Sequence, residues 1–202
     1  MQQPTLNKEL ELLTKYQYIA GIDEAGRGPL AGPVVAACVI LNPKKEEWHQ
    51  QIRDSKKMTE KHREKSFEDI KKNALGFGIG EATCTEVDKI NILQATFLAM
   101  QRAIADCAVK PNFILVDGNQ NIPNIDIDQK TQIKGDSSIL SIACASILAK
   151  VTRDAIMLSY HKKYPKYGFN KHKGYGTVLH RQMIKEFGPC AIHRKSFLKS
   201  IK

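Results

Sequence analysis

No apolar run in this 202-residue sequence is longer than the eight residues 34–41, VVAACVIL. A bilayer-spanning helix needs about 20, so the chain reads as having no membrane segment and no membrane partner. The start, MQQPTLNKELELLTK, is polar and has no apolar stretch, which argues against a secretory leader. Cysteine offers little chemistry. The five, Cys38, Cys84, Cys107, Cys144 and Cys190, are odd in number and form no CxxC pair, and no cysteine or histidine pair has zinc spacing. They read as small apolar residues of a reduced chain, and the expected location is the cytoplasm. Internal repeats and low-complexity linkers are absent too. With 42% hydrophobic and 26% charged residues, the composition suits one sizeable core with an appendage.

Acid is scarce at one end. Residues 161–202 hold 11 of the 31 Lys and Arg but a single acid, Glu186. Residues 1–160 carry 20 of each sign, so the net charge of +10 belongs to the tail. A neutral body with a basic tail suits a polyanion, nucleic acid above all. A merely solvated basic surface is the plain alternative.

What is present alternates between strand and helix. Residues 18–23 and 34–41 read as strands, the second apolar on both faces and therefore central in a sheet. Thr59 is placed to cap a surface helix over 60–72. Residues 75–82 read as a third strand. Thr85-x-x-Asp88 resembles a helix-start pattern, and Ile90, Leu93, Phe97, Met100 and Ile104 then recur at helical spacing. Strands follow at 113–116 and 131–134, then a long helix over 137–164. Pro165 stops it, and a short basic helical region follows. The expected architecture is α/β, a mixed β-sheet flanked by helices, with residues 1–164 forming the main unit (1–17 a lead-in) and 165–202 a small basic C-terminal cap packed on it.

Three acids share one local setting. Asp23, Asp117 and Asp136 each end an apolar or β-prone run beside a glycine, and Glu24 follows Asp23 directly. Neighbouring strand ends in an α/β sheet form a crevice where ligands bind. Four carboxylates gathered there would repel one another unless cations offset them, and all-oxygen ligation selects Mg²⁺ or Mn²⁺. Two such ions are an apparatus for in-line attack of water on a phosphodiester. Adjacent strand residues point to opposite faces, so Asp23 and Glu24 share a site only if the strand ends or bulges there. Asp154 lies too far along the long helix to join them and reads as structural, paired with Arg153 or a loop amide.

The motifs GIDEAGRGPLAGPVV, DSKKMTEKHR, INILQATFLAMQRA, ILVDGN, KGDSSILSIACASILAKVTRD, YGFNKHKGYGT and HRKSF stand in one order from Tyr18 to Phe197. In that order and spacing the chain resembles bacterial ribonuclease HII. The resemblance implies an RNase H-like fold and an endonuclease that cuts the RNA strand of RNA–DNA hybrids. It also implies incision 5′ of single ribonucleotides embedded in duplex DNA, leaving a 3′-hydroxyl and a 5′-phosphate. It puts the metal-binding acids at Asp23, Glu24, Asp117 and Asp136. Gly26, Arg27 and Gly28 then form the turn that senses the ribose 2′-OH, and Tyr175 the ring that stacks on the sugar at the junction. Lys56 and Lys57 are candidate phosphate contacts. The expected cofactor is two divalent ions, and the expected state is a monomer. A non-catalytic nucleic-acid-binding module and another RNase H-like nuclease are the alternatives.

Overall fold

In a computed structural model, which describes residues 3–44, 47–55 and 58–199, the sheet is built around the strand that carries the first acids. This is β1 (Ile19–Ala25), the middle strand of five. β2 (Val34–Ile40) and β3 (Gly76–Ala82) extend the sheet on one side as an antiparallel meander. β4 (Phe113–Asp117) and β5 (Asp128–Gln132) extend it on the other side, each parallel to its neighbour. The order is β3-β2-β1-β4-β5, the mixed sheet anticipated from the sequence. β2 is buried at all seven positions, as a run apolar on both faces requires.

Side-chain alternation divides the core between two helical layers. Ala20, Ile22, Ala36, Cys38, Ile114 and Val116 face α3 (Cys84–Asp106). Ala37 and Val39 instead meet α4 (Leu140–Lys163) and α2 (Glu60–Asn73) on the opposite face. The approach of α4 to β1 is close: a Cβ on Gly21 would collide with the backbone of Ser141 and Ile142. The short α1 (Asn7–Leu12) caps this packing, because its buried Glu9 accepts the Ser141 N–H at 2.8 Å, in the first turn of α4.

Several local expectations shift. The cap of α3 is Thr83 in a full capping box with Glu86, not Thr85 with Asp88. Asp88 instead accepts the amides of Lys195 and Ser196 and anchors the far C-terminal segment. The last strand lies at Asp128–Gln132, earlier than 131–134, because Lys134 adopts a left-handed conformation that ends extended pairing. A single 3₁₀ turn, Gly135–Ser137, then precedes α4.

After α4 the chain wraps back over residues 26–33. It does so through α5 (Phe169–His172), α6 (Val178–Phe187) and a 3₁₀ turn, Lys195–Phe197. Phe169, Tyr167 and Ile192 bury themselves with Ala31 and with Met157 of α4. Two further contacts pin the wrap: a bridge of Ala31 with His193, and Leu30 N–H donating to the Gly174 carbonyl at 2.8 Å. No helix among the described residues is long and apolar enough to cross a membrane.

Candidate active site

β1 and β4 run in parallel and their last paired residues are Ile22 and Val116. One step further, Asp23 and Asp117 therefore stand side by side on the α4 face of neighbouring strands, which lie about 4.8 Å apart. Asp117 Oδ1 accepts the Gly135 N–H at 2.7 Å. That bond draws the turn carrying Asp136 onto the end of β4, and Asp136 is itself 6% exposed. Asp136 thus sits in a 3₁₀ turn and not at a strand end.

β1 does not stop or bulge between Asp23 and Glu24. Both stay paired with β2, opposite Ala37 and Ala36, and the strand continues to Ala25. Asp23 lies under α4, where its Oδ1 accepts the Glu24 N–H at 2.7 Å and the Ser146 hydroxyl bonds its carboxyl. With Ser146 donating there, the Ser55 hydroxyl, 2.9 Å away, donates to Ser146. Glu24 projects on the other face and reaches Arg27, with Oε1 3.3 Å from Nη1. The bulge expected for the two acids to share a site is absent; they flank the strand end from both faces, and Glu24 still lines the same hollow as Ser146, which bonds Asp23. Burial, then the nearby charges of Glu24 and Asp117, push the Asp23 carboxyl well above the usual carboxylate range. Among the described residues no three His, Cys, Asp or Glu side chains stand ready-gathered around one point. The acids are neighbours without forming a cage. Their all-oxygen donor set and the unfavourable charge at Asp23 fit a hard divalent cation, which would offset it.

The turn after β1 is held from beneath. Gly26 has φ +97°, a left-handed value that disfavours a side chain, and a Cβ there would collide with Arg153. Arg194 is wholly buried and donates to four carbonyls, those of Gly26, Arg27, Pro29 and Gly32, at 2.6–3.0 Å. Arg153, also buried, donates to Ala31, Pro33 and Lys173. The loop's carbonyls thus point inward to two guanidinium groups that no carboxylate pairs in these bonds. Burial and the charge of Arg153 lower Arg194 to about 10, still cationic at neutral pH. Two positive charges therefore lie directly under the Gly26–Gly28 turn, a field that favours phosphate.

Tyr175 meets the same turn. Its ring edge lies 3.9 Å from where a Gly28 Cβ would be, over the Arg153 guanidinium at 5.8 Å, and the residue is 44% exposed. Glu24, Gly26, Arg27, Gly28 and Tyr175 line one open hollow of about 460 Å³ with Ser55, Ser146 and Lys150. A smaller one of about 70 Å³ holds Asp117, Asn119 and Phe97 on the other side of Glu24 and Arg27.

The structure thus draws Asp23, Glu24, Asp117, the turn and Tyr175 together, with Asp136 one residue from the Asp117 contact. Lys56 and Lys57 lie outside the described residues. Asp154 bonds Lys150 at 2.9 Å and not Arg153, one partner expected from the sequence, because Arg153 is turned to the loop carbonyls. Sequence reasoning missed Arg153, Arg194, Ser55 and Ser146. For the two arginines the one available signal was position: Arg153 and Arg194 each stand inside a motif, VTRD and HRKSF, but nothing local in the sequence ties either to the turn at 26–33.

The ribonuclease HII family model matches residues 20–200. A ribonuclease HII of Caldanaerobacter subterraneus subsp. tengcongensis is 55% identical over 91% of this chain and 75% of its own length. One from Clostridioides difficile is 54% identical over 92% and 72%. Among solved structures, the ribonuclease H2 from Pyrococcus horikoshii OT3 superposes with a TM-score of 0.73 at 27% identity, covering 89% of this chain and 93% of that one. The sheet order, the paired acids at the ends of β1 and β4 and the extent of these matches agree: the chain belongs to the ribonuclease HII family and is an endoribonuclease of the ribonuclease H kind.

Proposed function

We propose that this ribonuclease cuts the RNA strand of RNA–DNA hybrids and incises duplex DNA on the 5′ side of a single embedded ribonucleotide. The observation that carries this reading is the meeting of the Gly26–Gly28 turn and Tyr175 in the hollow that Glu24 also lines. In this reading Asp23, Glu24, Asp117 and Asp136 hold two divalent ions, Mg²⁺ or Mn²⁺. When bound, such ions supply a nucleophilic water and stabilise the leaving oxygen of an in-line displacement at phosphorus.

The chain's own groups do the positioning. Ser146 and the Glu24 amide fix the Asp23 carboxyl. Glycines at 26 and 28 let the backbone approach the ribose, whose 2′-OH distinguishes RNA from DNA. Arg27, half-exposed and anchored on Glu24, faces the adjoining phosphate. Tyr175 packs on the neighbouring sugar, and Lys56 and Lys57 take further phosphates. Water attacks phosphorus and the O3′ leaves, giving a 3′-hydroxyl and a 5′-phosphate. The enzyme acts as a cytoplasmic monomer, with residues 165–202 a cap on the catalytic unit 1–164.

The test uses duplex DNA with one ribonucleotide, in Mg²⁺ and separately in Mn²⁺. Nicking on its 5′ side with those ends is expected. No such nick with either metal, by folded protein, overturns the reading.

A further inference from the structure

The segment that carries Tyr175 contains three histidines with no part in the chemistry above. His172, His180 and His193 are all buried, and the rings of His172 and His180 stack at 4.3 Å. Backbone N–H donors select the tautomers of His172 and His193, and His193 selects that of His180; the Cys190 carbonyl stands farther from His193 Nδ1, at 3.3 Å. The Cys190 backbone N–H donates to His193 Nδ1 at 2.9 Å, so that nitrogen carries a lone pair. His193 is then protonated at Nε2, which lies 3.0 Å from His180 Nε2 and donates to it. His180 Nε2 is in turn the acceptor, so Nδ1 holds the proton and donates to the Tyr175 carbonyl at 2.9 Å. His172 runs separately: it accepts the Gly174 N–H at Nδ1 and donates from Nε2 to Tyr167. Burial keeps His180 down at about 4 and His193 below its ordinary value, which agrees with neutral rings at pH 7.

We propose that His180 and His193 are positioning residues for Tyr175: an aligned relay from the Cys190 amide, through both rings, fixes the Tyr175 backbone and so the angle of its exposed ring. A neutral side chain that only accepted, or a cation, would break the alignment at one joint. Two further bonds hold the same backbone: Thr177 N–H donates to the Tyr175 carbonyl at 2.8 Å and Tyr175 N–H donates to the His172 carbonyl at 2.9 Å, so the relay sets the fine tilt of a residue already tethered at both ends. Arg153 holds the other end of the loop through the Lys173 carbonyl. The relay therefore ties the ring to the same C-terminal turn, residues 190–194, whose Arg194 sets the Gly26–Gly28 turn. One segment aligns both halves of the hollow.

This inference rests on the reading of Tyr175 as the sugar-stacking residue, and the test separates the two. kcat and KM are measured on a duplex with one ribonucleotide and on a long hybrid, for His180→Ala, His180→Asn, His180→Gln and Tyr175→Ala. Asparagine places its amide N–H where imidazole has Nδ1; glutamine places it nearer Nε2. His180→Ala should raise KM on the single-ribonucleotide duplex about five- to tenfold more than on the hybrid. His180→Asn should return that ratio to within about twofold of wild type, and His180→Gln should not. If Tyr175→Ala shifts the ratio and His180→Ala does not, the relay is wrong and the role of Tyr175 stands. If Tyr175→Ala leaves the ratio unchanged, the stacking role fails and the relay's purpose goes with it. Should the alanine variant not fold, the wild-type protein decides: ¹⁵N–¹H spectra should show His180 protonated at Nδ1 and His193 at Nε2 at pH 7. The opposite tautomers, or a cationic ring, overturn the proposal.

Discussion

Asp23 is buried beside two other acids, under a helix, with one hydroxyl and one amide to hold it. Such a residue works against folding when no cation is bound. Its raised proton affinity has a definite sign: folding favours the protonated form, so Asp23 contributes most to the stability of the metal-free protein below the ordinary carboxylate range, and that contribution is lost as pH rises through the elevated value. Asp23→Asn keeps the shape and removes the charge. In chelator it should stabilise the protein at pH 8 by about 1–3 kcal/mol and flatten the fall of Tm with pH, while abolishing cleavage. A Tm equal to or below wild type at pH 8 would contradict the charge argument. Arg27→Ala removes the Glu24 contact at a half-exposed position, which costs at most about 1 kcal/mol of stability. Cleavage should nonetheless fall at least about a hundredfold; wild-type turnover would remove Arg27 from the site. Asp23 stood out in the sequence because a carboxylate ending an apolar run is costly without a purpose, whereas Arg27 was singled out only by the resemblance. The direction of Glu24 was not legible, since it depends on β1 staying paired with β2 to Ala25.

At the scale of elements, what was readable is what repeats. The all-apolar β2 and the spaced Ile90, Leu93, Phe97, Met100 and Ile104 announced a central strand and a packed helix; both are present, but the helix is broken at Asn91, whose φ of +68° leaves the helical region and kinks it between Ile90 and Leu93. The turn over residues 26–33 was readable only as glycine and proline. Its shape is imposed by Arg153 and Arg194, from 120 to 168 residues away along the chain, and such pairings leave no local period. The consequence is testable. Lysine at 194 would keep the charge but present one donor centre where a guanidinium serves four carbonyls. Arg194→Lys should destabilise by about 3 kcal/mol, lowering Tm by roughly 6–12 °C for a chain of this size. Cleavage should fall at temperatures where the variant is still folded, because the turn loses its support. A Tm within 2 °C of wild type would show that the loop holds itself.

For the whole molecule, charge is arranged by position. The balanced portion, residues 1–160, forms the sheet and its two helical layers, while the basic tail folds back beside the strand ends that carry the acids. Phosphate binding releases counterions, so log affinity falls with log salt by about 0.9 for each phosphate neutralised on a duplex. Lys171 in α5 and Lys185 in α6 are exposed on this tail. Lys71 and Lys72 are exposed in the last turn of α2, near the start of β3, whose Gly76 pairs with Ile40 at the opposite end of the sheet from Asp23. Both pairs carry the same charge, so net charge alone predicts equal effects. Position predicts unequal ones. With Asp117→Asn as background to prevent cleavage, hybrid binding is followed by fluorescence anisotropy from 50 to 300 mM salt, concentrations chosen on the order of those where counterion release dominates. Neutralising Lys171 and Lys185 to glutamine should reduce the salt slope by about 1–2, and neutralising Lys71 and Lys72 should leave it unchanged. Equal slopes for the two double variants would mean that the basic tail is a solvated surface and that the hybrid lies elsewhere.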